Sequence, residues 1–295
     1  MFKLIKNKKL RIFIIVIIIL FILGLIMSVI LNNLKTKYRS FYEVGDEIVF
    51  EQDYYNIFNE IDIETKMSDI YIKQSLDNSA KVIIYGEKEY ININEKNNKL
   101  FIDIKEKNLI AFDFYSFISK IEIYLPQGYN NLIRIDNEFG NIEIDEFINS
   151  NFDIESDYSN ILIGAANFIK IENDYGNVDV TSVTKARIDN NSGNVKIINI
   201  KDLEVINKYG NIKIDNITEY FKLNNEMGDI RIDNIILEKD SFIDLRYGDI
   251  EINNISEIYI KAKTEHGKIK INNNYKKSDI LLKINNESGD ININN

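Results

Sequence analysis

Aromatic side chains recur just before a glycine or serine along the second half of the chain. The stretch "NDYGNVDV" (173–180) is nearly repeated seventeen residues later as "NNSGNVKI", and again seventeen residues after that as "NKYGNIKI". A stack of rings on one surface could bind a glycan or a peptide, although packing between neighbouring repeats is the more common use of such a column. The candidate column consists of Phe139, Tyr158, Tyr175, Tyr209, Tyr247 and His266.

Asparagine or aspartate usually follows the same glycine, which raises the possibility of a calcium site. Calcium-binding β-roll repeats carry the denser pattern G-G-x-G-x-D, and this chain lacks it. A lysine, Lys268, also stands in the series, where a row of cations would be disfavoured. We therefore expect these side chains to bond turn backbones, and we predict no metal site. The series is Asn141, Asn160, Asn177, Asn194, Asn211, Asp229, Asp249, Lys268 and Asp290.

Catalytic chemistry has little support in the sequence. Asp and Glu are frequent, but they alternate with apolar residues as a solvated strand face would. No G-x-S-x-G, Walker or H-E-x-x-H motif is present. His266 is the only histidine and the chain has no cysteine, so nothing supplies a second imidazole or a thiolate for zinc. We predict no catalytic residue and no cofactor; the protein is not expected to be an enzyme.

An internal repeat must position these residues. Its pattern is h-x-h-x-N-x-x-G-[ND]-h-x-h-x-x-h, where h is apolar, and successive copies are 17 to 22 residues apart. Alternation of apolar and polar residues predicts strands with one buried face, and glycine suits a turn with φ > 0. The turn anchors are Gly140, Ser159, Gly176, Gly193, Gly210, Gly228, Gly248, Gly267 and Gly289.

The near-constant spacing predicts an all-β fold, a parallel β-helix or solenoid of about nine to ten coils. One copy cannot bury its apolar stripe alone, whereas stacked copies form a continuous core. We assign residues 131–295 to regular repeats and 48–130 to a less regular β part that caps them. Because the chain ends on a strand, "SGDININN", we expect that strand to be an exposed edge able to pair with another chain.

The amino-terminal segment predicts a membrane anchor. Residues 12–31 are twenty residues without a charge, long enough to cross a bilayer core and longer than the apolar core of a signal peptide. Residues 1–11 carry five basic side chains, which the positive-inside rule keeps in the cytoplasm. We therefore expect a single-pass cell-membrane protein with a spacer at 32–47 and an extracytoplasmic carboxy-terminal domain.

Charge narrows the choice of partners. The formal net charge is −10, and since the first 31 residues contribute +5, the remainder carries −15. Nucleic-acid binding is not expected, because such surfaces need clustered Lys and Arg. A glycan, a wall component or a protein remains open as a ligand.

The segments "ETKMSDIYI", "KVIIYG", "NNKLFIDI" and "KIEIYLPQGYNNLIRIDNEFGNIEI", followed by G-[ND]-I-x-I repeats, resemble a bacterial family of unknown function whose members are named as candidate adhesins with β-strand repeats. The resemblance covers roughly residues 50–295. It implies a β-solenoid at the cell surface or facing the envelope, and it brings no catalytic residues with it.

We therefore expect a non-enzymatic, membrane-anchored adhesin-like or scaffold protein of the bacterial envelope. An accessory or sensor component of envelope-stress signalling is the alternative, and a polysaccharide-active β-helix enzyme is the third possibility.

Overall fold

The structure is a computed structural model, and it describes residues 47–77, 79–86, 91–105, 119–272 and 278–294. The predicted cytoplasmic segment, the span at 12–31 and almost all of the spacer lie outside these residues. Within the described ranges, no helix has the length and apolar character needed to cross a membrane.

The described residues form one sheet of 19 strands that winds around a common core. Between the glycine turns, β8 to β12 each continue through a whole coil. The strands are β1 (Ile48–Tyr54), β2 (Glu60–Gln74), β3 (Ala80–Tyr85), β4 (Ile91–Lys96), β5 (Lys99–Ile104), β6 (Ser119–Leu125), β7 (Leu132–Phe139), β8 (Ile142–Tyr158), β9 (Ile161–Tyr175), β10 (Val178–Ser192), β11 (Val195–Tyr209), β12 (Ile212–Met227), β13 (Ile230–Ile235), β14 (Ser241–Tyr247), β15 (Ile250–Ile255), β16 (Tyr259–His266), β17 (Ile269–Ile271), β18 (Leu281–Ser288) and β19 (Ile291–Asn294).

Parallel pairing at constant register builds the array, as the repeat predicted. Ile161 pairs with Val178 and Val178 with Val195, so equivalent apolar residues stack in columns. Each of these three side chains is at most 1% exposed. Burial of such columns is the main stabilising contribution in a fold of this kind. The parallel part amounts to about eight turns, fewer than the nine to ten coils predicted.

The amino-terminal end mixes parallel and antiparallel pairing. β2 lies inside the stack, parallel to β5 and β6 on one side and to β7 and β8 on the other. β3 runs antiparallel to β6, β1 antiparallel to β3, and β4 antiparallel to β5. Strands of opposite direction therefore cover this end of the parallel stack.

The carboxy-terminal strands occupy a different place from the one that chain order predicts. β18 pairs with β14 on one side and β16 on the other, and β19 lies between β15 and β17. The last coil of the chain is thus inserted between the two coils that precede it in sequence. The expectation that the final strand forms an exposed edge is wrong, because β16 and β17 take the outer position. Their lysines, Lys261, Lys263 and Lys270, are charges of the kind that discourage pairing at a sheet edge.

Candidate ligand surface along the turn edge

The anchor glycines lie in one column at the turn edge, and close stacking explains them. A Cβ on Gly210, whose φ is +140°, would lie 2.1 Å from the carbonyl oxygen of Gly193 in the next coil. The turn therefore needs glycine both for its backbone conformation and for its closeness to the neighbouring coil. The anchors with positive φ are Gly140, Gly176, Gly193, Gly210, Gly228, Gly248 and Gly289.

Gly267 and Ser159 are the two predicted anchors outside the positive-φ set. At Gly267 the requirement is space alone, since a Cβ there would lie 2.0 Å from the carbonyl oxygen of Gly289. This contact also shows where the last coil is inserted. A Cβ on Gly289 would in turn meet the carbonyl oxygen of Gly248, so the order of these turns along the column is Gly248, Gly289 and Gly267. The expectation that the anchor glycines have φ > 0 is therefore wrong at Gly267.

A ladder of buried asparagines supports the turns from inside. The Asn173 amide donates to the Oδ1 of Asn190 at 3.0 Å, and Asn190 donates to Asn207 at 3.1 Å. Asn190 also donates to the carbonyl oxygen of Gly193, which closes its own turn, at 3.2 Å. All three residues are at most 4% exposed. These bonds satisfy polar groups that would otherwise be costly to bury.

Where the anchor is serine, the supporting residue changes with it. The Thr65 and Ser68 hydroxyls are 2.6 Å apart, and Ser156 and Ser159 form the same contact. A hydroxyl pair thus replaces the asparagine–glycine pair in these two coils. The substitution is visible in the sequence as T-x-x-S and S-x-x-S in place of N-x-x-G, once the turn geometry is known.

The residues after the anchors form a second, exposed ladder. The Oδ1 of Asn177 accepts a hydrogen bond from the backbone N–H of Asn194 at 2.9 Å, and Asn194 accepts from Asn211 in the same way. The prediction that these side chains bond turn backbones is confirmed. The exception, Lys268, lies in the outermost coil: its N–H donates to Asp290, and no further coil in the described part of the chain follows it.

The predicted aromatic residues do lie in one column on the outside of the same turns. The Phe139 and Tyr158 rings are stacked with centroids 4.8 Å apart, and Tyr158 and Tyr175 repeat that spacing. Strand register continues the column through Ser192, Tyr209, Met227, Tyr247 and Ser288 to His266. Phe139, Tyr158 and Tyr175 therefore pack on one another. The rings of the column still remain about half exposed, with Tyr175 at 47% and Tyr209 at 51%.

The column is interrupted at two serines, and chain order reveals the first interruption but not the place of the second. Ser192 separates Tyr175 from Tyr209, and Ser288 separates Tyr247 from His266. His266 stands in the outermost coil next to a serine, away from the stacked rings. Within the described ranges, no three His, Asp or Glu side chains are grouped so as to hold a metal ion.

Carboxylates form a separate column on the outer sheet face. Six acids from consecutive coils in space are in register, and neighbouring like charges on a sheet repel each other. Burial, together with Glu138 and Asp157, raises the pKa of the Asp136 carboxyl. Arg134 and Lys170 offset part of this charge by pairing with acids of the adjoining column, including Asp153. The six acids are Asp103, Glu64, Asp136, Glu155, Glu172 and Asp189.

One polar cluster was missed by the sequence reasoning. Glu122, 6% exposed, accepts from the Nζ of Lys73 at 2.8 Å and forms an ion pair with Lys120 at 3.0 Å. The Tyr85 and Tyr124 hydroxyls also donate to it. Burial alone would raise the pKa of Glu122, but the two ammonium groups outweigh it and lower the pKa to about 2. These residues come from β2, β3 and β6. Because β6 alternates apolar and polar residues as the other strands do, the local sequence pattern carries no signal for the cluster.

Comparison with known proteins gives a family match. The model of the family described as Toastrack DUF4097 matches residues 58–295. No curated protein matches the chain.

Several solved structures are similar to the chain at low identity. A "putative adhesin" from Bacteroides fragilis NCTC 9343 is 20% identical, covering 85% of this chain and 98% of its own, with a TM-score of 0.43. One from Parabacteroides merdae ATCC 43184 is 12% identical, with 84% and 97% covered and a TM-score of 0.47. A "putative lipid binding protein" from Parabacteroides distasonis ATCC 8503 is 12% identical, with 83% and 96% covered and a TM-score of 0.40. Likeness at this level carries no information on function.

Proposed function

Because the chain belongs to the Toastrack DUF4097 family, we propose that it is a non-enzymatic, adhesin-like protein of the bacterial cell envelope. Residues 12–31 would anchor it in the membrane with the amino terminus in the cytoplasm. The solenoid would then stand outside the membrane and present its turn edge to a ligand.

The exposed aromatic column is the observation that carries this proposal. A soluble solenoid needs its buried asparagine ladder and its apolar columns, but it does not need half-exposed rings at the outer turn. Rings that are held rigidly by their neighbours lose little conformational freedom on binding, and aromatic residues are enriched at recognition surfaces for that reason. Phe139, Tyr158 and Tyr175 form such a preordered group.

A binding role also agrees better than catalysis with the arrangement of the acids. Hydrolysis of a glycosidic bond uses two carboxyl groups that face each other across the scissile bond. The carboxylates of this protein instead follow one another along an outward face, from Asp103 to Asp189. Glu122, the one buried carboxylate among the described residues, already forms ion pairs with two lysines.

Attachment of whole cells tests the function. Cells that display the full chain are placed on surfaces coated with wall material, purified glycans or matrix proteins, and compared with cells that display a variant in which Tyr158, Tyr175 and Tyr209 are replaced by serine. We expect wild-type cells to attach to at least one surface and the triple variant to lose at least tenfold in attachment. Equal attachment of both, or attachment of neither, would refute the proposal.

Location is tested separately. Protease added to intact cells should digest the solenoid and leave the amino-terminal anchor. Full protection of the solenoid in intact cells, with digestion after lysis, would overturn the proposed orientation.

A further inference from the structure

The interruption of the aromatic column at Ser192 has the dimensions of a ring-binding slot. Ser192 pairs with Tyr175 on one side and with Tyr209 on the other. Adjacent strands are about 4.8 Å apart, so the two tyrosines lie about 9.6 Å from each other. A flat ring placed midway would be about 4.8 Å from each tyrosine, which is the separation of the Tyr158 and Tyr175 rings.

Both tyrosines are available for such contact. Tyr175 and Tyr209 are 47% and 51% exposed. Tyr158 covers one face of Tyr175, and the opposite face is directed toward the small side chain of Ser192. A larger residue at this position would extend the stack and close the gap, as Tyr158 does between Phe139 and Tyr175.

The polar groups beside the gap indicate the class of ring. Asp174, Asn191 and Lys208 immediately precede Tyr175, Ser192 and Tyr209 in three neighbouring strands, and the Asn191 side chain has no hydrogen-bond partner among the described residues. Asn194, two residues after Ser192, accepts from the backbone N–H of Asn211 through its Oδ1, while its side-chain N–H groups have no partner among the described residues. The rim of the gap therefore offers carboxylate and amide acceptors together with amide and ammonium donors.

We propose that the Ser192 slot, lined by Tyr175, Tyr209 and these polar neighbours, binds one pyranose ring of a glycan. A pyranose has an apolar C–H face on each side and hydroxyl groups around its edge. Its faces would stack on the two tyrosines, and its hydroxyls would reach the groups on the rim. An aromatic side chain would fill the same gap but would leave the rim groups without partners, which costs free energy where water is displaced. This inference rests on the proposed function and specifies its ligand.

The second gap, at Ser288, offers a matched control. It lies between Tyr247 and His266, but the Arg246 guanidinium is held 5.3 Å from the centre of the Tyr247 ring and forms an ion pair with Glu287. A charged group thus already occupies the neighbourhood of that ring. We expect the Ser288 gap to bind no sugar.

The test is a binding titration with the full chain in a detergent that contains no sugar. The probes are fluorescent β-1,4-linked hexose and N-acetylhexosamine oligosaccharides, with aromatic pentapeptides as the competing class. Wild type, Ser192→Tyr, Tyr175→Ala and Ser288→Tyr are compared after thermal unfolding shows that each is folded. We expect at least one oligosaccharide to bind, with tenfold or greater loss in Ser192→Tyr and Tyr175→Ala and less than twofold change in Ser288→Tyr.

Three outcomes would contradict the proposal that the Ser192 slot binds a pyranose ring. They are binding of no oligosaccharide, equal binding by wild type and Ser192→Tyr, or binding of the peptides alone. If cells that display Ser192→Tyr still attach while cells that display the triple tyrosine variant do not, the result would support the proposed function and contradict the proposed sugar site at Ser192. If wild-type cells attach to none of the surfaces, the proposed function itself is wrong.

Discussion

The amino-terminal part and the regular array hold a parallel stack together in different ways. From Asn173 to Asn225, successive coils of the array repeat the same few bonds, such as the amide of Asn190 to Asn207 and the N–H of Asn194 to Asn177. In the amino-terminal part, one cluster around Glu122 joins three strands that are distant in sequence. Repetition makes the array uniform, whereas the amino-terminal part depends on a few individual contacts.

The difference shows what each region can tolerate. A change in one coil of the array is felt by its two neighbours, because equivalent residues touch along the column. A change at Glu122 affects a site that occurs once. The exposed aromatic column tolerates more variation: from Tyr175 to Met227 its residue changes between Tyr, Ser and Met, while the buried asparagine bonds of the same coils stay constant.

The largest effect is expected where the array is tightest. Gly210→Val would place a β-branched side chain at φ +140° and against the carbonyl oxygen of Gly193. We expect a loss of more than about 4 kcal/mol in the free energy of unfolding, since strain and overlap add. Urea unfolding measures it. Gly128→Ala is the control, because a Cβ on Gly128 meets nothing within 4 Å; similar losses in both variants would disprove the stacking argument.

Acid should weaken the amino-terminal part through Glu122. Its pKa is lowered from 4.5 to about 2 in the folded protein, so its stabilising contribution is present above pH 4.5 and is lost as the pH falls toward 2. Glu122→Gln should lose about 1.5–3 kcal/mol at pH 7, because two charge-assisted bonds are weakened. In this pH range the variant should have a shallower dependence of unfolding free energy on pH than wild type. Parallel pH curves for the two proteins would contradict the assigned role of Glu122.

A smaller effect is expected inside the turn ladder. Asn190→Leu removes the donors to Asn207 and to the carbonyl of Gly193, and we expect a loss of about 1–3 kcal/mol in chemical denaturation. Leucine fits sterically, since Leu245 occupies the equivalent position of another coil and is fully buried. Asn191→Leu, on the outer face, is the matched control and should change stability by less than about 0.5 kcal/mol. If both variants unfold alike, the ladder is not a stabilising element.

The smallest effect on stability is expected at the exposed column. Tyr209 is 51% exposed, and Tyr209→Ala should change the midpoint of thermal unfolding by little, corresponding to less than about 0.5 kcal/mol. Its effect should appear in ligand binding instead. A loss of stability as large as that of Asn190→Leu would mean that the column serves packing, which is the alternative interpretation of its sequence pattern.

Much of the array could be predicted from local pattern. Alternation around Gly193 and Gly210 places Val195, Ile197, Leu203 and Val205 inside, and all four are at most 1% exposed. The asparagine–glycine turn and its ladder also follow, because a repeated turn at one phase must stack on itself. The Glu122 cluster could not be predicted, since its partners Lys73 and Tyr85 are placed by strand pairing between distant segments.

The candidate surface was predictable only in part. The membership of Tyr158 and Tyr175 in one column follows from the repeat, but their ring separation and exposure do not. The repeat predicts that Ser192 lies between Tyr175 and Tyr209, and the strand register confirms this order.

The repeat, the buried face of each strand and the column of each turn residue can be predicted from the sequence, because they depend on contacts within one coil and on a constant interval between coils. The order of the coils at the two ends follows from strand pairing between distant segments, which the sequence pattern does not specify. β2 lies between β5 and β7, and β18 lies between β14 and β16. Any two coils with matching apolar columns can pair, so neither local pattern nor spacing specifies which coil is the neighbour of which.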